Sequence, residues 1–245
     1  MDNGSICLIP ARGGSKRIPG KNIKLFCGRP MIAWSISAAI ESGIFDRVIV
    51  STDDEEIAAV SVEVGAEVPF IRSAGLAGDH IGLIEVQRHA IEWLEQHGEK
   101  PQIFACVYAT AAFLRPSDLA HATELLGQHK NAEFVISVGS YPVPPFQALT
   151  KPPGDRLQYA WPEFAQARTQ DLPEAFFEAA QFVIGKTKSF QRHANALLGW
   201  TIPYVMPRLL CQDIDSLEDW EHAETIFEFL QSKRDPELEF SPPKL

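Results

Sequence analysis

The apolar residues of this chain fall into short continuous runs, separated by stretches of helical spacing. Ile6-Cys7-Leu8-Ile9 is the first run and is closed by Pro10. Arg47-Val48-Ile49-Val50, Val68-Pro69-Phe70-Ile71, residues 103–107 and residues 134–138 repeat the pattern. Runs this short, rich in branched and aromatic residues, read as buried strands. Between the first two, Met31, Trp34, Ile36, Ala38 and Ala39 recur at helical spacing, with Pro30 placed for a first turn and Gly43 as a stop. Residues 54–64 read as a second helix, with acids in its first turn and Thr52 or Asp53 as cap. Residues 84–96 read as a third helix. A fourth runs from a Ser117 cap to Gly127.

Strand and helix thus alternate through residue 138, and the strands are continuous apolar runs. That predicts an α/β fold: a Rossmann-like, mostly parallel sheet with helices on both faces. Ligands on such sheets bind at the carboxyl ends of strands, which is where the loop after the first strand must lie. From Ser140 the alternation stops. Residues 141–168 are rich in proline and aromatics and read as extended arms, with room for a hairpin. Residues 181–184 resume as a strand, 204–206 and 209–210 are further strand candidates, and 218–231 is an amphipathic helix. The α/β domain is therefore expected over 1–139 and 181–232, an inserted arm over 140–180, and a loose tail over 233–245.

Composition narrows the function. No run approaches the roughly 20 apolar residues that span a bilayer, and the N-terminus lacks the pattern of a secretory signal. The expected location is cytoplasmic, without a membrane partner. Cys7, Cys27, Cys106 and Cys211 are widely spaced, with no zinc pattern, and read as reduced buried thiols. The net charge of −10 argues against nucleic acid as a partner. Against that background one window stands out. From Asn3 to Ile40 there is no Asp or Glu, and Arg12, Lys16, Arg17, Lys21, Lys24 and Arg29 all fall inside it. A solvated basic face would explain a charge run of this kind. The glycines directly after a strand favour an anion site instead.

The loop itself reads Arg12-Gly13-Gly14-Ser15-Lys16-Arg17-Ile18-Pro19-Gly20-Lys21-Asn22. Five residues separate Gly14 from Gly20 and Asn22 follows the lysine, so it is not a Walker loop. The GxGxxG fingerprint of dinucleotide sites is absent too. Near the other end, Asp213 and Asp215 stand two apart. On an extended segment both carboxylates face one way, a pairing suited to Mg²⁺. The plainer reading is that Asp215 or Ser216 caps the helix that follows.

The first loop resembles the nucleotide loop of the sialic-acid-type cytidylyltransferases, which couple nonulosonic acids to CMP. Further blocks follow in family order: Phe26 to Trp34, Arg47 to Asp54, Tyr108-Ala109-Thr110, Phe113 to Pro116, Gln170 to Ala175, and Gln212 to Asp215. The pseudaminic acid branch is the most similar. The resemblance implies attack of a sugar's anomeric hydroxyl on the α-phosphorus of CTP. It puts Arg12, Gly13, Gly14, Ser15, Lys16, Lys21, Asn22 and Arg72 at the nucleotide, with Arg12, Lys21 and Asp213 catalytic. It makes Asp213 and Asp215 ligands of a Mg²⁺ cofactor. Tyr108, Arg168, Gln170 and Gln181 would meet the acidic nine-carbon sugar. A half-buried aromatic is the plain alternative for Tyr108, and a surface salt bridge for Arg168. The segment around Arg168 would cross to a partner in a homodimer with exchanged arms.

Several positions depart from the family pattern. After Asp79 the chain runs His80-Ile81-Gly82-Leu83-Ile84, where small hydroxyl residues are expected at the base. Ala112 stands for a proline. Phe176, Phe177 and Glu178 replace a tyrosine, a histidine and an aspartate, and Ala180 replaces a glycine. These changes point to a different acidic sugar, such as legionaminic acid or another isomer, or to a non-catalytic nucleotide-binding homologue. The first loop disfavours the shorter Kdo sugar.

Overall fold

The computed structural model describes residues 4–76, 78, 81–154 and 156–233. Its centre is a six-stranded sheet of β1 (Ser5–Pro10), β2 (Arg47–Ser51), β3 (Ile103–Val107), β4 (Phe134–Ser140), β5 (Phe176–Lys186) and β6 (Thr201–Val205), in the order β6-β4-β5-β3-β1-β2. The pairings β1–β2, β1–β3 and β6–β4 are parallel, while β5 runs antiparallel to both neighbours. The expected mostly parallel sheet is thus present, with one reversed strand near its middle.

Helices cover both faces, as continuous apolar strands require. Along β1, Cys7 and Ile9 face one core and Ile6 and Leu8 the other. The first core packs α1 (Met31–Glu41), α4 (Pro116–Gln128) and α6 (Leu217–Ser232). Phe26 sits at its centre, edge-on to Phe113, Trp220 and Phe227. Such edge contacts contribute about 0.5–1.5 kcal/mol each beyond area burial. The second core packs α3 (Leu83–Gln96) and α5 (Thr187–Arg192), with Phe190 against Phe104 and Phe134. The helix α2 (Glu55–Val64) is capped by Asp54, whose carboxylate accepts from the amides of Glu56 and Ile57. Asp54 takes the role, one residue after Asp53 and two after Thr52.

Four further expectations change. The cap of α4 is Arg115, not Ser117, which lies inside the helix that Pro116 begins. Residues 68–71 are not a strand. The segment touches the outer edge of β2 only through single bridges, Ile49 with Glu67 and Thr52 with Ile71. Pro69 lacks the N–H that a ladder needs. Residues 209–210 lie in a tight turn, Arg208–Leu210, started by Pro207. The strand expected at 181–184 starts at Phe176, inside the segment expected as an arm, and pairs with the end of β4. Its register shifts between Ile136 and Val138, and Ala180 takes a left-handed conformation with φ +52°. The glycine that Ala180 replaces would adopt that φ without strain. The hairpin in the arm is Leu149–Thr150 paired with Gln158–Tyr159. Asp79, His80 and residues 234–245 of the tail lie outside the described residues.

Candidate functional site

The acid-free loop leaves β1 at the carboxyl edge of the sheet. The Ala11 amide donates to the Ser51 carbonyl at 2.9 Å, pinning the loop to β2. Asn22 is buried, and its Nδ2 donates to the Arg12 carbonyl at 3.0 Å, closing the loop on itself. Gly13 donates its amide to Asp53 Oδ1 at 3.1 Å. A Cβ on Gly13 would sit 2.5 Å from Asp54 Oδ2, and capping α2 holds that carboxylate still. Only glycine fits there.

Beside the loop lies a cavity of about 400 Å³. Arg12, Ser15, Arg17, Lys21 and Asn22 line one side of it. Arg72, after the segment along β2, closes the floor, and Tyr108 and Thr110 come from the end of β3. Ile81 and Leu83 supply an apolar wall where hydroxyls were expected. Among the described residues, four cations therefore meet in one cavity whose lining holds one acid, Asp215. A chain of net charge −10 is locally positive here, which resolves the conflict between global charge and an anionic ligand.

Each cation is held differently. Lys21 Nζ donates to the Ile214 carbonyl at 2.7 Å and to Asp215 Oδ1 at 3.3 Å. Arg17 Nη2 pairs with Asp215 Oδ2 at 2.9 Å. Arg72 is 5% exposed; its Nη2 lies 3.3 Å from Asp53 Oδ1, and its Nε is buried without a hydrogen-bond partner. A guanidinium sealed from water with N–H groups to spare calls for acceptors from a ligand.

Of the two cap candidates at 215 and 216, geometry selects Ser216. Ser216 caps α6: its Oγ accepts from the Asp219 amide at 3.2 Å, and the Asp219 carboxylate accepts from the amides of Ser216 and Asp215. Asp215 is therefore free to face Lys21 and Arg17. Asp213 is pushed above the usual carboxylate range, first by burial and then by the negative charge of Asp215; Lys21 and Arg17 pull the other way. Among the described residues no three His, Cys, Asp or Glu cluster as a metal cage. Asp215 lines the cavity with its oxygens paired to Lys21 and Arg17, while Asp213 lines neither that cavity nor the chamber beside it.

A second chamber of about 310 Å³ adjoins the first and shares Gly82, Leu83 and Tyr108 with it. Gln87, Glu178 and Asn195 add polar groups to mainly apolar walls. Tyr108 Oη donates to Glu178 Oε1 at 2.7 Å.

Not every expected site residue converges. Gly14 and Lys16 are exposed beside the cavity rather than lining it, and the Gly13 amide is spent on Asp53. Arg168 and Gln170 are exposed on the arm, and Arg168 makes the plain surface pair, Nε to Asp171 Oδ2 at 2.6 Å. Gln181 is fully buried and lines neither chamber. Its Nε2 donates to the carbonyls of Ala179 and Gln212, so it steadies the residue before Asp213. In a mid-sheet strand covered on both faces, the side chain points into the core. Sequence reasoning missed Arg17, Asp53 and Glu178. Arg17 lay in the basic window, and Asp53 sat in a quoted block; only the fold shows what they face.

The loop, the cation-lined cavity and the carboxylate pair at one sheet edge define a nucleotide-dependent transferase. The cytidylyltransferase family profile matches residues 6–193, and the chain belongs to that family. The pseudaminic acid cytidylyltransferase of Campylobacter jejuni is 35% identical over 223 residues, 91% of this chain and 96% of its own. The CMP-N,N'-diacetyllegionaminic acid synthase of Legionella pneumophila is 38% identical over 144 residues, 57% of this chain and 60% of its own. Among solved structures, a CMP:2-keto-3-deoxy-manno-octonic acid synthetase complexed with CTP superposes with a TM-score of 0.65, covering 93% of this chain and 99% of its own. At 14% identity that likeness speaks for the fold alone.

Proposed function

We propose that this chain transfers the cytidylyl group of CTP to the anomeric hydroxyl of a nonulosonic acid of the pseudaminic type, releasing pyrophosphate. The observation that carries the reading is the convergence of Arg12, Arg17, Lys21 and Arg72 on one cavity at the carboxyl edge of the sheet. Attack at the α-phosphorus builds charge on the departing pyrophosphate, and cations fixed beforehand stabilise it without reorganising. Lys21 suits this role. Two of its three N–H groups are taken by Ile214 and Asp215, which leaves one aimed for a phosphate oxygen. Arg72 supplies unfilled donors at the cavity floor.

Asp213 and Asp215 are the residues that would hold Mg²⁺. Burial first, and then the neighbouring Asp215 charge, favour the protonated form of Asp213, and a divalent cation would offset that charge. Bound there, the ion would offset phosphate charge.

The sugar fits the second chamber, beside Tyr108. The C. jejuni relative is named for pseudaminic acid and matches over nearly all of both chains, which supports that sugar class. Legionaminic acid is the second reading, favoured by the L. pneumophila relative. The arm exposes Leu149, Leu157 and Trp161. Their exposure supports a homodimer with exchanged arms, in which Arg168 and Gln170 reach the other subunit's sugar. The four cysteines are unpaired, in keeping with a reducing cytoplasm. Among the described residues no helix is long and apolar enough to cross a membrane.

The test is pyrophosphate release from CTP, with and without Mg²⁺, across a panel of nonulosonic acids. Release is expected with a pseudaminic-type acid and only with Mg²⁺. Silence with every sugar would sink the enzyme reading.

A further inference from the structure

The second chamber carries a polarity that its lining residues alone do not reveal. Tyr108 stands at the junction of the two cavities and contributes to both. Its hydroxyl hydrogen is committed: Oη donates to Glu178 Oε1 at 2.7 Å. Burial and the neighbouring Glu178 and Asp213 charges keep that phenol protonated, so the donor is permanent in the working pH range. What the pair presents to a ligand is then the remaining lone pairs of the Tyr108 oxygen and the second carboxylate oxygen of Glu178. Both are acceptors. The chamber is otherwise largely apolar, with Leu83, Phe134, Val183 and Phe190 among its walls.

Resting on the proposed function, we infer that Glu178 is a specificity-determining residue, whose pairing with Tyr108 forms an acceptor-only wall that selects sugars presenting an N–H or O–H donor at that point. Two acceptors facing a substituent that also offers only lone pairs leave polar groups covered by the bound sugar unpaired and repelling, whereas an amide N–H or a hydroxyl satisfies them. The relatives' names bring N-acylated sugars into view, among them N,N'-diacetyllegionaminic acid. An acylamino group supplies the N–H. The corresponding ester, with oxygen in place of N–H, keeps size and shape and removes the donor.

The test compares kcat/KM for a diacetamido nonulosonic acid with that of its analogue bearing one acetoxy group in place of acetamido, position by position. The wild-type chain should prefer the acetamido sugar by about 100-fold or more at one position. Glu178→Gln can still accept from Tyr108 through its amide oxygen, but it turns an N–H toward the ligand. That preference should then fall by at least tenfold, with KM for CTP unchanged. Tyr108→Phe, which leaves the carboxylate in place, should lower the rate yet keep the preference. An unchanged preference in Glu178→Gln overturns the assignment. So does a preference lost in Tyr108→Phe but kept in Glu178→Gln, which would make the phenol the reader. If the wild-type chain turns over neither sugar, the enzyme reading fails and takes this inference with it. Turnover without a change of preference refutes the inference alone.

Discussion

Replacing Asp53 with asparagine removes one negative charge and almost nothing else. In the folded chain Asp53 Oδ1 faces two donors, the Gly13 amide at 3.1 Å and Arg72 Nη2 at 3.3 Å. The asparagine carbonyl still serves Gly13, so the change isolates the ion pair. Arg72, with its side chain 4% exposed, is left as a buried cation with no other acidic partner among the described residues. Breaking a fully buried pair from one side costs about 3–5 kcal/mol. The Asp53 side chain is 24% exposed and the contact is long, so water already screens part of it. A loss of about 2 kcal/mol is expected, or roughly 4–8 °C in Tm for a chain of this size. Removing the orphaned cation should undo most of the damage. Thermal and urea unfolding of wild type, Asp53→Asn, Arg72→Met and the double variant, all without nucleotide, closes the cycle. A coupling of about 1–2 kcal/mol is expected. Strictly additive losses would refute the idea that Asp53 is there to hold Arg72.

Two further outcomes follow from local strain. Asp213 binds a proton more readily folded than unfolded, so its contribution to stability is full below the ordinary carboxylate range and is lost as pH rises through its raised folded pKa. Asp213→Asn should therefore abolish pyrophosphate release and yet leave the nucleotide-free protein slightly more stable at neutral pH; a melting scan showing a lower Tm would contradict this. At position 180, an alanine at φ +52° carries about 1–2 kcal/mol of backbone strain, partly offset by the greater unfolded freedom of glycine. Ala180→Gly should gain about 0.5–1 kcal/mol in urea unfolding, and a net loss would show that the Ala180 methyl packs better than its backbone suggests.

Local pattern alone determined the alternation of strands and helices through residue 138 except at 68–71, the placement of the basic loop at a strand's carboxyl end, and the local excess of positive charge there. These rest on burial and short-range spacing, which a sequence displays directly. It also marked Asp213 and Asp215 as a pair, though not which of two roles they play. Only the tertiary structure gave the cap of α6 to Ser216 and Asp219 and set Asp215 against Lys21, some 194 positions away. Tertiary structure also turned Gln181 inward, since a strand between β3 and β4 has no solvent face to offer it. Asp53 and Glu178 acquire meaning only through Arg72 and Tyr108, partners 19 and 70 positions distant. Hydrogen-bond polarity and ion pairing depend on which side chains the fold brings within 3 Å, and no periodicity in the chain records that.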